Sequence, residues 1–421
     1  MKKRFLLSIA AMLLMMPQVL KADGFPRYYE LVQETKDLES GKYYIIAAVP
    51  DNLESLTNRI AYNGINTNNH YGNADRVSVP ATYIIDIGST EKHAVPLKFI
   101  QNGEKWNLYD ETATEGSQLI GVNSDTDTGF QHYLVTGNDN DDKNENLFLW
   151  NISIDKDTHI ATIQIQKSIN NIYYLRYDSN NYNDPTSFFR VYSLTDNKLR
   201  VMLYKEMVTV TADTYYTAPD PGTLGTLYYS KEVLMVPEGV TAKTYTLGEN
   251  KDKVYSHVAY APGDFIPANS AVVLHGTSNE NKTYTFPVTK RHTPTRDPDN
   301  ILLGLDNGGT TTTGVEAEDA NYYFYKLTTK NGKNPGFYWG NNGYPFTTIA
   351  HKAYLAVNKL TAAKIQAFLL DGNTTPTAIT TPIYEAPAND AVYDLTGRKV
   401  NSSQTLRRGI YITNGKKFVV K

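Results

Sequence analysis

From residue 41 onward the chain is a succession of short stretches in which apolar and polar residues take turns. Turn-rich segments of Gly, Asn, Asp and Thr recur between them. "GKYYIIAAV" (residues 41–49), "KWNLYDE", "LFLWNISI", "HIATIQIQ", "IYYLRYD", "SFFRVYS" and "LRVMLYKE" are the clearest of these stretches, and many of them alternate. A period of two sends successive side chains to opposite faces, as in half-buried antiparallel strands. In "TIQIQ" it places Ile163 and Ile165 on one face. In "RVMLYK" it places Val201, Leu203 and Lys205 on one face and Met202 and Tyr204 on the other. Only "ESLTNRI" and "DLES" hint at short helices. Aromatic use agrees: tyrosine, with 32 residues, far exceeds the 14 Phe and 3 Trp, and Tyr suits a pleated surface with one polar edge. The pattern predicts an all-β protein, and barrel, trefoil and sandwich all satisfy it.

Composition shifts divide the chain. Strand-like stretches fill residues 28–207, a first all-β domain. A Pro/Gly-rich cluster, "APDPGTLG" (residues 218–225), follows closely, near the start of a second all-β domain over 208–372 with "SAVVLHG", "KTYTFPV", "NYYFYKL" and "KAYLAV". Residues 373–390, "NTTPTAITTPIYEAPAND", lack core periodicity and read as a linker. Residues 391–421 form a separate strand-rich tail with the look of a small sandwich. No repeat of fixed solenoid period is visible.

The N-terminus carries Lys2, Lys3 and Arg4, then an apolar run over residues 5–16 that is too short to span a bilayer, broken at Pro17. This is the layout of a secretory signal peptide (residues 1–22) cut after Ala22. No other stretch is apolar enough to cross a membrane. The chain has no cysteine, which excludes disulfides, thiolate metal sites and lipidation at a signal-adjacent Cys. Removing residues 1–22 takes away four cations and no acid, so the net charge falls from −3 to −7. An acidic chain without clustered Lys and Arg argues against nucleic acid as a partner.

The tail reads "AVYDLTGRKVNSSQTLRRGIYITNGKKFVVK". Asn414-Gly415 is a strong two-residue hairpin signal, because a type I′ turn needs positive φ at both positions. The implied register sets Thr413 against Lys416, Ile412 against Lys417, Tyr411 against Phe418 and Ile410 against Val419. The tail resembles the type A C-terminal sorting domain of secreted Bacteroidetes proteins. Val392, Tyr393, Asp394, Leu395, Gly397, Arg398 and Val400 match its first element. Gly409, Ile410, Tyr411, Ile412, Gly415, Lys417, Val419, Val420 and Lys421 match its second. The tail is shorter than typical members, which carry further strands ahead of the first element. The resemblance implies export through the type IX secretion machinery, with the domain then removed or joined to surface glycolipid. The two larger segments resemble, more loosely, uncharacterised β-rich modules of secreted Bacteroides and Prevotella proteins, and that resemblance brings no active site.

Chemistry is sparse. The eight histidines (70, 93, 132, 159, 257, 275, 292 and 351) form no short metal-ligand spacing, and no nucleophile elbow, phosphate loop or dinucleotide fingerprint is present. The sequence therefore predicts no catalytic residue, no metal and no cofactor. Acid pairs suited to glycoside hydrolysis are Asp110-Glu111, Asp125/Asp127 and the run Asp139/Asp141/Asp142/Glu145, in turn-rich loops where acids are ordinarily just solvated. The same loops offer oxygen ligands for calcium without EF-hand spacing. Aromatic residues beside Asn and Gly, in "NYYFYKL" (residues 321–327) and "GFYWGNNGYPF" (residues 336–346), suit the apolar faces and hydroxyls of a sugar and single out Tyr338, Trp339 and Tyr344. The expectation is a secreted or cell-surface binding or adhesion protein, outside the outer membrane, whose partner is a glycan or a host protein. The alternatives are a secreted hydrolase, glycosidase or peptidase, whose carboxylates meet only in the fold, and a structural surface component.

Overall fold

The computed structural model describes residues 25–420 apart from 50–57, 67–70, 82, 89–93, 124–130, 133, 141, 169–170, 179–187, 194–199, 218–221, 250–252, 331–332, 363–364, 371–391, 395–398, 401–408 and 414–415. The candidate signal peptide with Ala22, the linker 373–390, and Leu395, Gly397, Arg398, Gly415 and Lys421 lie outside the described residues. So do Asp125, Asp127 and Asp141.

The protein is all-β. Among the described residues the longest helical turn, Glu316–Asn321, has six residues, and no helix is long and apolar enough to cross a membrane. The helix hint in "ESLTNRI" fails where it can be seen, because Asn58–Asn66 is a strand. Within it Ile60 and Tyr62 enter one core and Ala61 the other, so period two governs. The hint in "DLES" survives only as a turn over Thr35–Asp37.

Fifteen strands share the first hydrogen-bonded system. They are β1 (Tyr28–Leu31), β2 (Lys42–Ala48), β3 (Asn58–Asn66), β4 (Tyr71–Ala81), β5 (Ile84–Asp86), β6 (Leu97–Asn102), β7 (Lys105–Tyr109), β8 (Leu119–Val122), β9 (Gln131–His132), β10 (Leu134–Gly137), β11 (Trp150–Ile154), β12 (Ala161–Ser168), β13 (Asn171–Asp178), β14 (Phe188–Tyr192) and β15 (Val201–Glu206). Six of them close on themselves: β2 pairs β6, β6 pairs β7, β7 pairs β11, β11 pairs β12, β12 pairs β15, and β15 returns to β2, all antiparallel. Three hairpins, β3–β4, β8–β10 and β13–β14, join the barrel strands in turn. A six-stranded barrel with three hairpins, each repeat contributing strand, hairpin, strand, is a β-trefoil. Closure removes the open edges that invite aggregation.

Alternation fills this barrel. Ile163 and Ile165 point inward with Val201 and Leu203, while Met202 and Tyr204 join a second core outside the barrel wall with Ile45, Ala47, Tyr29 and Ile85. Strands β1 and β5 cover that outer face. Inside, Tyr44 stacks on Phe99 at 4.4 Å. The fully buried Trp150 donates its indole N–H to the Ile120 carbonyl at 2.8 Å, so its large apolar surface is buried without an orphaned donor.

The strands from Thr209 to Leu369 form a stack of three sheets, with a small two-stranded ribbon beside them. The middle sheet holds Tyr216–Thr217, Thr223–Leu227, Val272–Gly276, Val240–Leu247 and Val254–Tyr260. Val272 and Leu274 face one core, with Val210 and Phe286 of the outer four-stranded sheet. Ala271 and Val273 face the other, with Tyr325, Phe337 and Leu355 of the outer five-stranded sheet. A middle layer buried on both faces explains why "SAVVLHG" is a continuous apolar run. The trefoil docks on this stack through Tyr28, Ile84, Met207 and Met235, and Thr289 donates its hydroxyl to Glu30 Oε1 at 2.6 Å.

The tail makes a four-stranded sheet of its own, in the order Lys399–Val400, Val392–Asp394, Gly409–Thr413, Lys416–Val420. Its last hairpin pairs Tyr411 with Phe418 and Ile412 with Lys417, the register that the Asn-Gly signal implies.

Candidate ligand-binding site

A cleft of about 370 Å³ opens in the trefoil, lined by Asn63, Gly64, Ile65, Asn73, Val95, Asp110, Thr112, Ala113, Thr114, Ser117 and Thr136. Strand β3 supplies one wall. Its register against β4 shifts between Tyr62 and Ile65, and Gly64 takes up the irregularity at φ +81°, a conformation that strains residues with a Cβ. A Cβ at this position would meet only ordinary contacts, 3.6 Å to Val95 Cγ2 and 3.9 Å to Thr112 Oγ1, so the backbone conformation and not crowding selects glycine. The turn between β7 and β8 supplies the facing wall.

Asp110 organises that turn. Its side chain is fully buried. Oδ1 accepts the Thr112 amide at 3.0 Å and the Thr112 hydroxyl, and Oδ2 accepts the Tyr62 hydroxyl at 2.8 Å. Burial, then the adjacent Asp110 charge, holds the Tyr62 phenol well above its ordinary pKa, so it stays a donor. An ionised carboxylate offers about four acceptor positions. Three are filled, and with the side chain 0% exposed the carboxylate holds the cleft wall in shape from behind. Around it stand the amides of Asn63 and Asn73, the hydroxyls of Thr112, Thr114, Ser117 and Thr136, and an apolar wall of Ile65, Val95 and Ala113. Hydroxyls, amides and one carboxylate, with no cation, suit a neutral polyhydroxylated ligand and disfavour an anion.

The Asp110-Glu111 pair does not converge. Glu111 turns away and accepts the Tyr43 hydroxyl at 2.6 Å and Lys98 Nζ at 3.2 Å, and among the described residues Asp110 is the one acid in the cleft lining. In the 139–145 run, Asp139 accepts the Tyr109 hydroxyl and Asp142 caps the Asn138 amide at 2.7 Å.

The three aromatic candidates divide. On Lys333–Trp339, Phe337 and Trp339 face the inner core, so Tyr338 lies on the opposite face, across from Lys326 and Ala367. Both rings are half-buried. Trp339 and Tyr344 are drawn together instead. Asn342 and Gly343, at φ +50° and +85°, form a tight turn closed by the Tyr344 amide on the Asn341 carbonyl at 2.8 Å. Tyr344 projects from it, 62% exposed. Lys359 Nζ lies 5.2 Å from the Tyr323 ring centre and 5.7 Å from that of Tyr344, and Tyr323 packs on Trp339 at 5.1 Å. Tyr323 belongs to the aromatic stretch "NYYFYKL", whereas nothing in the sequence singles out Lys359.

A third grouping joins His257, Asp297 and Asp299, whose ligand-type atoms lie within 4.8 Å of one another. Residue spacing gives no hint of it. Asp297 already accepts the Thr244 hydroxyl at 2.5 Å, His257 Nδ1 at 2.9 Å and the Asp299 amide at 3.1 Å. These bonds account for the grouping as a buttress of the edge strand Val254–Tyr260. The hydrogen bond to Asp297, then its charge, raises the His257 pKa.

Comparison with known proteins returns no matching family model and no matching curated protein.

Proposed function

We propose that the protein is a secreted or cell-surface, non-enzymatic binding protein whose trefoil cleft holds a neutral glycan unit. The observation that carries this reading is a cleft lined by hydroxyls and amides on a turn held in shape by the fully buried Asp110 carboxylate. The side-chain hydroxyls and amides of the lining offer donors and acceptors to the hydroxyls of a sugar. Among the described residues Asp110 is the one acid in the lining, whereas glycoside hydrolysis uses two carboxylates flanking one bond, and this favours binding over hydrolysis. Export rests on the sequence: the N-terminal segment as signal peptide, and the tail as sorting domain engaging the secretion machinery. The tail's self-contained sheet supports that role, since an address label has to fold without the cargo. The partner is a dietary or host glycan, carried free or on a host protein.

The test is a glycan array probed with residues 23–421, beside a glycosidase and peptidase screen. Neutral glycans are expected to bind without turnover, and Thr114→Ala is expected to weaken binding several-fold. Turnover of any glycan, or binding indifferent to both Thr114→Ala and Asp110→Asn, sinks the cleft reading. For export, deletion of residues 392–421 is expected to hold the protein inside the cell, and normal delivery of the truncated chain rules the sorting role out.

A further inference from the structure

One part of the cleft sets a methyl and a hydrogen-bond acceptor beside each other. Thr112 gives its hydroxyl proton to Asp110 Oδ1. A hydroxyl has one proton and two lone pairs, so Thr112 Oγ1 is committed as an acceptor. Among the described residues no group donates to it, and Thr112 is exposed. Val95 Cγ2 borders the same space. The point where a Cβ on Gly64 would stand is 3.6 Å from Val95 Cγ2 and 3.9 Å from Thr112 Oγ1, so both groups bound the hollow beside that glycine.

Neither group is free to drift. The Val95 amide donates to the Tyr62 carbonyl at 3.0 Å, and its half-buried side chain packs against the barrel core, as does that of Ile65. Thr112 is held by its amide on Asp110 Oδ1 at 3.0 Å, and Asp110 is held in turn by the Tyr62 hydroxyl at 2.8 Å. Tyr62 thus fixes both members of the pair, one through its backbone and one through its side chain. A ligand that matches them loses little to ordering of the site.

A secondary amide carries the complementary pair on one edge. In its planar trans form, the N–H of an acetamido group and its methyl lie cis to each other across the C–N bond, and the carbonyl oxygen lies trans to the proton. The N–H finds Thr112 Oγ1 as acceptor, and the methyl finds the apolar wall of Val95, Ile65 and Ala113. The side-chain amides of Asn63 and Asn73 line the same cleft as donors for the carbonyl on the other edge. A plain hydroxyl in place of the acetamido group uses the acceptor but leaves the apolar wall facing water.

We infer that the cleft takes a neutral N-acetylated sugar, and that Val95 and Thr112 determine this specificity by reading the acetamido group from its methyl and N–H edge. The inference rests on the cleft reading proposed above and narrows its neutral glycan unit to an N-acetylhexosamine.

The experiment is calorimetric titration of residues 23–421 with N-acetylglucosamine and N-acetylgalactosamine, each beside its unsubstituted parent, glucose or galactose. A further arm uses 6-deoxygalactose, which carries a methyl without the amide. At least one N-acetyl sugar is expected to bind about tenfold or more tightly than its parent, from one buried methyl and one added hydrogen bond. The ratio of the two affinities is the readout, so a weakening common to both sugars does not disturb it. Val95→Thr, which sets a hydroxyl against the methyl, and Thr112→Val, which removes the acceptor, are each expected to lower that ratio by about threefold or more. Parity of the N-acetyl sugars with their parents, in binding that Thr114→Ala still weakens, overturns the acetamido assignment and leaves the cleft reading standing. A preference shown by 6-deoxygalactose alone overturns the assignment, as does an N-acetyl preference unchanged in both variants. Failure of all these sugars to bind overturns it too, and the glycan array then decides the cleft reading by itself.

Discussion

Replacing Tyr62 by Phe removes one hydroxyl and leaves the packing in place. Among the described residues that hydroxyl is the only side-chain donor to Asp110 Oδ2 and sits 2.8 Å from it, between residues that are 2% and 0% exposed. The ring keeps its edge contact with Phe189 at 6.2 Å, so loss of van der Waals contact is negligible. What is lost is a hydrogen bond to a charged acceptor, which contributes about 1.5–3 kcal/mol, and the enclosure of Asp110 places this one near the middle of that range or above. For a unit of this size about 2 kcal/mol corresponds to a Tm lower by about 4–8 °C. Urea unfolding followed by tryptophan fluorescence reads the trefoil, because Trp106 and Trp150 both lie in its barrel core. The decisive measurement is a double-mutant cycle with Asp110→Asn. The tyrosine hydroxyl is expected to matter at least about 1.5 kcal/mol less once the carboxylate is gone. If Tyr62→Phe costs the same in both backgrounds, the hydroxyl does not serve the carboxylate and the account of the turn is wrong.

Gly64→Ala is expected to destabilise by about 1–2 kcal/mol, because φ +81° is a left-handed conformation that an L side chain resists. Its methyl also narrows the cleft, so isothermal titration with the best array ligand is expected to show weaker binding. The His257–Asp297 pair makes stability depend on pH. The His257 pKa is raised from 6.5 by the hydrogen bond to Asp297, so its contribution is complete below about pH 6.5 and fades as pH climbs through the higher folded value. The Asp297 pKa lies below 3.8: burial works against the charge, and the bonds from Thr244 and His257 outweigh it. That half is lost only as pH falls through the lower folded value. Tm is therefore expected to decline from pH 6 to 9 in the wild type and to decline less in His257→Gln, and equal slopes would remove the pair from the account.

Strands were legible because alternation is a local property. The two faces of "RVMLYK" do enter two cores, Val201 and Leu203 on the barrel side and Met202 and Tyr204 on the other. The tail register followed from two turn residues. Pairing was not legible, since a period of two names a strand's faces and not its neighbours. Nothing in residues 42–48 says that they receive 201–206 as a partner. The threefold plan was hidden for the same reason: "KYYIIAA", "KWNLY" and "ATIQIQKS" occupy equivalent barrel positions and share only their alternation. The opposition of Tyr338 and Trp339 was implicit in that alternation, whereas the approach of Tyr323 and Lys359 to Tyr344 was not. Asp110 stood out as an acid. Its role depends on Tyr62, forty-eight residues earlier, and on an irregularity at Gly64 that the sequence marks only as a glycine between asparagines.

The cleft also marks where the trefoil departs from its own symmetry. In the repeat that begins with β7, residues 110–118 connect the first barrel strand to its hairpin, and five of the eleven lining residues come from that connection. In the repeat that begins with β12 the equivalent connection is residues 169–170, too short to carry an Asp-x-Thr turn with hydroxyls behind it. Three equal hairpins therefore do not imply three equal sites. Each cleft of this kind needs a long polar connection on one side and an opened strand on the other, and the third repeat lacks the first requirement. Titration of residues 23–421 with the neutral glycan is accordingly expected to saturate at fewer than three ligands per chain. A stoichiometry of three with a single affinity would mean that binding follows the fold's symmetry and not the turn that breaks it.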